Sequence, residues 1–220
     1  MKVERFSELR QFVLHNTFSK CFAGYVLLGI ALFVFMNTTN IVFLVNNFVA
    51  SSHLDSIMKP YTDLASGWIF VFLVVALLFI SQRKAAMMAV CGIMVLLCIM
   101  ILKYMIFTDE LRPTMEFGLH SFSHTIPDYS YLKTHSFPSG HTLAAFAIAG
   151  VLSSFVTNKY AQIGFFFYAV LIAFSRIYLL HHFYRDVFWG AIVAYCVVVL
   201  LLAASPMFAK IPEKGFLRKK

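Results

Sequence analysis

Six stretches of this chain contain no Asp, Glu, Lys or Arg: residues 21–52, 64–82, 85–102, 142–158, 160–175 and 187–209. A helix needs roughly 20 mostly apolar residues to cross a bilayer, and no single soluble core of 220 residues could hide six such runs. With 60% of its residues hydrophobic and only 13% charged, the chain belongs in a membrane. The expectation is an all-α, polytopic membrane protein, a six-transmembrane-helix bundle forming one domain over residues 1–220. The fourth and fifth stretches are short. Their helices must therefore take in flanking polar residues, Ser139 to His141 on one and Arg176 to Leu180 on the other.

The first stretch is interrupted by Asn37, Asn40, Asn46 and Asn47, so a span over about 21–42 followed by an interfacial segment is expected from helix length. Residues 1–20 lack the cleavage pattern of a signal peptide. They read as an interfacial N-terminal segment, with Phe6, Leu9 and Val13 beside Arg5 and Arg10 at helical spacing. Orientation follows from the basic residues. With both termini cytoplasmic, the inner side holds Lys2, Arg5, Arg10, Lys20, Arg83, Lys84, Lys159, Lys210, Lys214, Arg218, Lys219 and Lys220, twelve of the eighteen, as the positive-inside rule asks. That arrangement makes 210–220 a basic cytoplasmic tail. It puts three connections outside: about 50–63, the extracytoplasmic loop 108–138, and a turn near 181–186. A bacterial plasma or inner membrane is the expected location.

The net charge of +8 is a topology and headgroup signal rather than one for nucleic acid. Cys21, Cys91, Cys98 and Cys196 all fall inside proposed spans without a Cys-x-x-Cys pair, so no disulfide is expected.

The unusual polar residues gather at one membrane face. Lys103 closes the third span, Arg112 and Pro113 lie in the long loop, Pro138 to His141 open the fourth span, Ser175 and Arg176 close the fifth, and His182 and Asp186 open the sixth. Any one of the cations could snorkel to the interface. As a set they sit where positive charge is disfavoured, and burying them costs about 2.5–3.5 kcal/mol each on insertion scales. They ask for an anionic partner.

Positions four apart on a helix share a face, so Asp186 can hold one nitrogen of His182 and leave the other as a nucleophile. The same spacing leaves neighbouring His181 as a solvent or headgroup contact. Arg176 offers a guanidinium fork that matches phosphate oxygens, and Arg112 and Lys103 add charge. Asp109, Glu110 and Glu116 could instead neutralise these two as ordinary loop ion pairs. In Pro138-Ser139-Gly140-His141, Ser139 suits a helix cap and Gly140 leaves the first-turn N–H groups open to an anion. His141 then stands beside that anion as a general acid.

"KYMIFTDELRP", "PSGH" and "SRIYLLHHFYRD" resemble the three ordered motifs of the type 2 phosphatidic acid phosphatase superfamily, Lys-x6-Arg-Pro, Pro-Ser-Gly-His and Ser-Arg-x5-His-x3-Asp. The second and third match in full. The first departs, because eight residues separate Lys103 from Arg112, and Lys103 can serve only if the helix end there is bulged or unwound. The resemblance implies that His182 is the nucleophile of a phospho-histidine intermediate, that Asp186 orients it, and that His141 protonates the leaving group. It implies that Lys103, Arg112, Ser139, Gly140 and Arg176 hold phosphate, with no metal and no other cofactor. The implied activity is dephosphorylation of a membrane lipid phosphate or diphosphate, such as undecaprenyl diphosphate, phosphatidylglycerol phosphate, phosphatidic acid or a lipid A phosphate.

Other readings remain open at this point. Phosphate could pass to a second lipid instead of water, or the basic pocket could serve a non-catalytic lipid-phosphate binding or transport protein. A metal enzyme built on His120, His124, His135, His141, His181 and His182 lacks a His-Glu-x-x-His pattern. Oligomeric state is not legible.

Overall fold

A computed structural model describes residues 7–216. The described residues are helical throughout their ordered elements. We number the main helices α1 Thr17–Phe35, α2 Thr38–Phe48, α3 Ser52–Thr62, α4 Gly67–Ile80, α5 Gln82–Ile101, α6 Gly140–Ser154, α7 Lys159–Tyr178 and α8 Tyr184–Ala203. Four are long and apolar enough to cross a membrane: α1, α5 with its extension to Ile106, α7 and α8. α3 and α4 pass that test only as a pair bent by 59°, and α6 is a shorter apolar helix. The described residues thus hold four candidate spans, or five with the bent pair.

Most of these helices start where a polar side chain satisfies free N–H groups. Asn16 accepts from Phe18, Ser81 from Lys84, Ser139 from Thr142, and Asn158 from Tyr160 and Ala161. α6 is the centre of the bundle. Every residue from Thr142 to Val151 is buried, which is what a helix apolar on all sides requires. Its Ala144, Ala145, Ala147, Ala149 and Gly150, with Ala191 and Ala194 of α8, allow close helix approach as small residues do in membranes. Large apolar residues instead face outward, among them Leu27, Val34, Phe35, Trp68, Phe72 and Leu97. Such an inverted distribution suits a lipid solvent.

The core helices alternate in direction. At one end, Arg83 pairs with both Glu8 and Glu213, Asn16 donates to the Ser153 carbonyl, and Gln162 accepts from Thr17. This end holds the start of α5, the end of α6 and the start of α7. The other end therefore holds Lys103, Gly140, Arg176 and the start of α8.

Three expectations need correction. Residues 52–62, expected as part of a loop, form α3, which turns Asp55, Met58 and Thr62 inward. Near the N-terminus, Ser7–Arg10 is α-helical and Gln11–His15 a π-turn. Phe12 is buried there against Phe18 and Tyr195, whereas Val13 is exposed. The wider π-turn rotates the face away from the spacing expected of an α-helix. Arg5 and Phe6, like Lys2, Arg218, Lys219 and Lys220, lie outside the described residues. Finally, His182 is not helical: it sits in the turn before α8.

Candidate active site

The turn between α7 and α8 builds the centre of the site. Leu180 takes a left-handed conformation, φ 57°, unusual for a residue with a branched side chain. This lets the amides of His181 and His182 both donate to the Arg176 carbonyl, at 3.0 and 3.2 Å. Phe183 then opens α8, and its amide donates to Asp186 Oδ2 at 2.9 Å. That reach-back, half of a capping box, fixes the carboxylate beneath His182. The Nδ1–Oδ2 distance is 3.5 Å, with both side chains buried. The expected pair forms, through a helix cap rather than along a helix face.

Ser136 is the residue that sequence reasoning missed. Its fully buried hydroxyl donates to Asp186 Oδ2 at 2.6 Å and lies 3.5 Å from His182 Nδ1. Among the described residues the other oxygen, Oδ1, has only an ion contact with Arg185 Nε at 3.4 Å. Asp186 and His182 Nδ1 are thus engaged on one side, and Nε2 is the nitrogen left facing the cations.

Arg112 closes over Nε2. Its Nη1 lies 3.3 Å from Nε2 and donates to the His181 carbonyl at 2.8 Å. Nε and Nη2 donate to the carbonyls of Thr134 and His135. Glu110 pairs with Arg185 instead, so the ion pair considered for Arg112 is not made among the described residues. Arg176 is buried, donates to Thr62 Oγ1 at 2.7 Å, and keeps a buried Nε with no partner among the described residues. Thr62 on α3 is a second contact that sequence reasoning missed.

The altered first motif has a structural answer. Leu102–Ile106 forms a π-turn, closed by the Phe107 amide on the Leu102 carbonyl at 2.8 Å. The helix end is bulged as the longer spacing required, and Lys103 is buried at it. On the opposite wall the Ser139 amide donates to the Asp186 carbonyl at 3.0 Å, tying the start of α6 to α8. Gly190 permits that approach: a Cβ there would stand 2.9 Å from the Ser139 carbonyl oxygen. Gly140 and His141 are only half-buried, and His141 lies within the field of Arg176, Lys103 and Arg112. All eight expected site residues are at this end of the bundle.

Electrostatics follow from burial. Desolvation, then the charges of Arg112, Arg176 and Lys103, hold the His182 imidazole well below its ordinary range, so it is neutral and its lone pair is available. Three cations against the single carboxylate of Asp186 leave two uncompensated positive charges, the complement of a phosphate monoester dianion. His181 corrects an expectation. It is buried, not a solvent contact, with Nε2 2.9 Å from the Tyr129 hydroxyl. His124 is also engaged, by the Asp55 carboxylate at 3.0 Å, and no group of three or more potential metal ligands forms among the described residues. A separate cavity of about 650 Å³ lies at the far end, where Arg83 is already paired with Glu8 and Glu213.

A family model described as the PAP2 superfamily matches residues 84–210. The chain belongs to the PAP2 superfamily. The match takes in all three motifs. Among solved structures, Aquifex aeolicus LpxE is similar at 29% identity with a TM-score of 0.64, over 74% of this chain and 93% of that one. A PAP2 type phosphatidylglycerolphosphate phosphatase from Bacillus subtilis is 24% identical, with a TM-score of 0.57 over 88% of this chain and 98% of that one; at that identity it supports the fold alone. No curated protein matches the chain in sequence. Membership in the PAP2 superfamily supports a membrane phosphatase.

Proposed function

We propose that this protein is a metal-independent lipid phosphate phosphatase working through a phospho-histidine intermediate. The observation that carries the reading is a neutral, oriented His182 facing three buried cations that lack matching carboxylates. Lys103, Arg112, Arg176 and the N–H groups at Gly140 and His141 receive the phosphoryl oxygens. They stabilise charge that grows in the trigonal bipyramidal transition state. On binding, the Arg112 N–H now aimed at Nε2 redirects its hydrogen bond to a phosphoryl oxygen. Once the bound phosphate neutralises the cations, His141 takes up a proton; the freed lone pair then forms the N–P bond as the P–O bond to the lipid breaks, and His141 gives that proton to the departing oxygen. Asp186 holds the Nδ1–H of the positively charged imidazole. Water then loses a proton to His141 and attacks phosphorus, the N–P bond breaks, and inorganic phosphate leaves.

The proposed arrangement is a six-span bundle with both termini cytoplasmic and the site at the extracytoplasmic face of a bacterial inner membrane. Twelve of eighteen basic residues fall inside on that arrangement. The substrate is a membrane lipid phosphate or diphosphate. The candidates are phosphatidylglycerol phosphate, phosphatidic acid, undecaprenyl diphosphate and a lipid A phosphate.

The test is phosphate release by purified protein in detergent over those four lipids, with and without a chelator. Turnover of at least one lipid, unchanged by chelator and abolished in both His182→Ala and His141→Ala, is expected. Normal release by both variants would defeat the reading.

A further inference from the structure

His181 stands beside the nucleophile and has no part in the steps above. Its amide donates to the Arg176 carbonyl and its own carbonyl accepts from Arg112, so its backbone is fixed to two cations of the site. Its ring meets Tyr129 edge-on, at 5.4 Å between centroids and 87°, with Nε2 2.9 Å from the phenolic oxygen. The second nitrogen, Nδ1, is buried and has no hydrogen-bond partner among the described residues. The residue is 5% exposed.

The protonation states are set by surroundings. Burial, then the charges of Arg176, Arg112 and His141, push the His181 imidazole down to about 2. Burial also moves the Tyr129 hydroxyl upward, so the pair is a neutral phenol beside a neutral imidazole. The phenol is the stronger acid and the ring nitrogen the stronger base, so Oη–H donates to Nε2. An imidazole accepting at Nε2 carries its proton on Nδ1. Tyr129 is itself held in place, with Lys59 Nζ 5.5 Å from its ring centroid. A buried donor without an acceptor is costly. In a pocket of cations, the acceptor it suits is an anionic oxygen.

We propose that His181 is a further phosphate-binding residue, its Nδ1–H donating to an oxygen of the scissile phosphate while Tyr129 fixes the tautomer. This rests on the phosphatase reading for its substrate, and its test does not depend on turnover. Unlike the three cations, the donor adds no charge. It contributes direction, at a position none of the three motifs names.

Asn and Gln separate the two ring nitrogens, because an Asn amide can replace Nδ1 and a Gln amide Nε2. Binding of inorganic phosphate and orthovanadate to full-length protein in detergent, by calorimetry, is compared with KM for a lipid phosphomonoester. His181→Asn is expected to stay within about threefold of wild type, and His181→Gln to weaken both anions and raise KM about tenfold or more, as for loss of a hydrogen bond to a charged group. Tyr129→Phe, which frees the tautomer, should fall between them. The reverse order would assign His181 to tethering the Tyr129 loop and overturn the proposal. Equal losses in both variants, or no anion binding by wild type, would overturn it too. If no lipid is hydrolysed but anions bind in the expected order, the phosphatase reading fails and the donor stands.

Discussion

Ser136→Ala removes a single oxygen from the site, one that touches neither substrate nor cation. Asp186 Oδ2 has three donors around it: Ser136 Oγ at 2.6 Å, the Phe183 amide at 2.9 Å and His182 Nδ1 at 3.5 Å. The variant deletes the shortest. A hydrogen bond to a charged group contributes about 1.5–3 kcal/mol, and about 1.4 kcal/mol is a factor of ten in rate, so the loss lies between roughly tenfold and a hundredfold. In the proposed mechanism it falls on kcat, since Asp186 would stabilise positive charge that His182 acquires only as the N–P bond forms. KM should hold, because Ser136 Oγ makes no hydrogen bond to the three cations among the described residues, only to Asp186 and His182. An opposing effect is relaxation of His182 toward the vacated oxygen, which would shorten the 3.5 Å contact and recover part of the loss. The assay is steady-state phosphate release from a lipid phosphomonoester, with thermal unfolding in detergent to separate stability from rate. In an Asp186→Asn background the Ser136 change should cost little more, since both act through one contact. A kcat within twofold of wild type, or full additivity with Asp186→Asn, would show that Ser136 does not orient the carboxylate.

Lys103→Ala is expected to lower kcat/KM by at least about tenfold, the value of one charged hydrogen bond; a near-normal rate would mean that the π-turn has carried the ammonium out of reach. The pH profile of kcat should show no loss from His182 near the ordinary imidazole value of about 6.5, because its depressed affinity for protons keeps the attacking form neutral until the pH falls well below it. An acid limb at that ordinary value, retained with a phosphorothioate substrate of shifted acidity, would contradict the burial argument. Gly190→Ala would place a Cβ 2.9 Å from the Ser139 carbonyl oxygen, a backbone atom with no rotamer to escape into. Overpacking of this kind costs about 1–3 kcal/mol, to be seen as a lowered unfolding temperature and a displaced start of α6, with activity falling alongside.

The long helices were legible because lipid narrows the choices: an uncharged apolar run of about 20 residues reads as a spanning helix. The start of α6 was legible for a different reason, since Ser139 has an N-cap's chemistry and lies where apolar sequence begins. His182 and Asp186 were paired correctly from a spacing of four, yet that spacing also fits a turn followed by a capped helix. Spacing alone does not separate the two. Ser136, Thr62 and Tyr129 were not legible, because each reaches its partner across more than 49 positions of chain and a hydroxyl carries no motif of its own. The π-turn at Lys103 did leave a trace, the two extra residues before Arg112. α3 was hidden by its polarity, although Ser51 as cap and the inward Asp55, Met58 and Thr62 follow a helical period.

The short helix explains why the site needs Arg112 to do more than hold charge. At 1.5 Å per residue the fifteen residues of α6 span about 22 Å, less than the hydrocarbon thickness of roughly 30 Å. With its far end at the inner boundary, as in the proposed arrangement, Gly140 stands below the outer surface, and the chain from Thr134 to Ser139 must descend to it. Irregular backbone at that depth is tolerated only when its polar groups are satisfied within the protein. Here Arg112 accepts that task, bonding the carbonyls of Thr134, His135 and His181, while the Ser136 and Ser139 amides find the Glu110 and Asp186 carbonyls. A lysine at 112 could restore the charge but not a planar fork serving three carbonyls in different directions. In the proposed arrangement, phosphate binding and the recessed backbone therefore depend on the same guanidinium, and a lipid headgroup would reach the cations with its tails still in the bilayer.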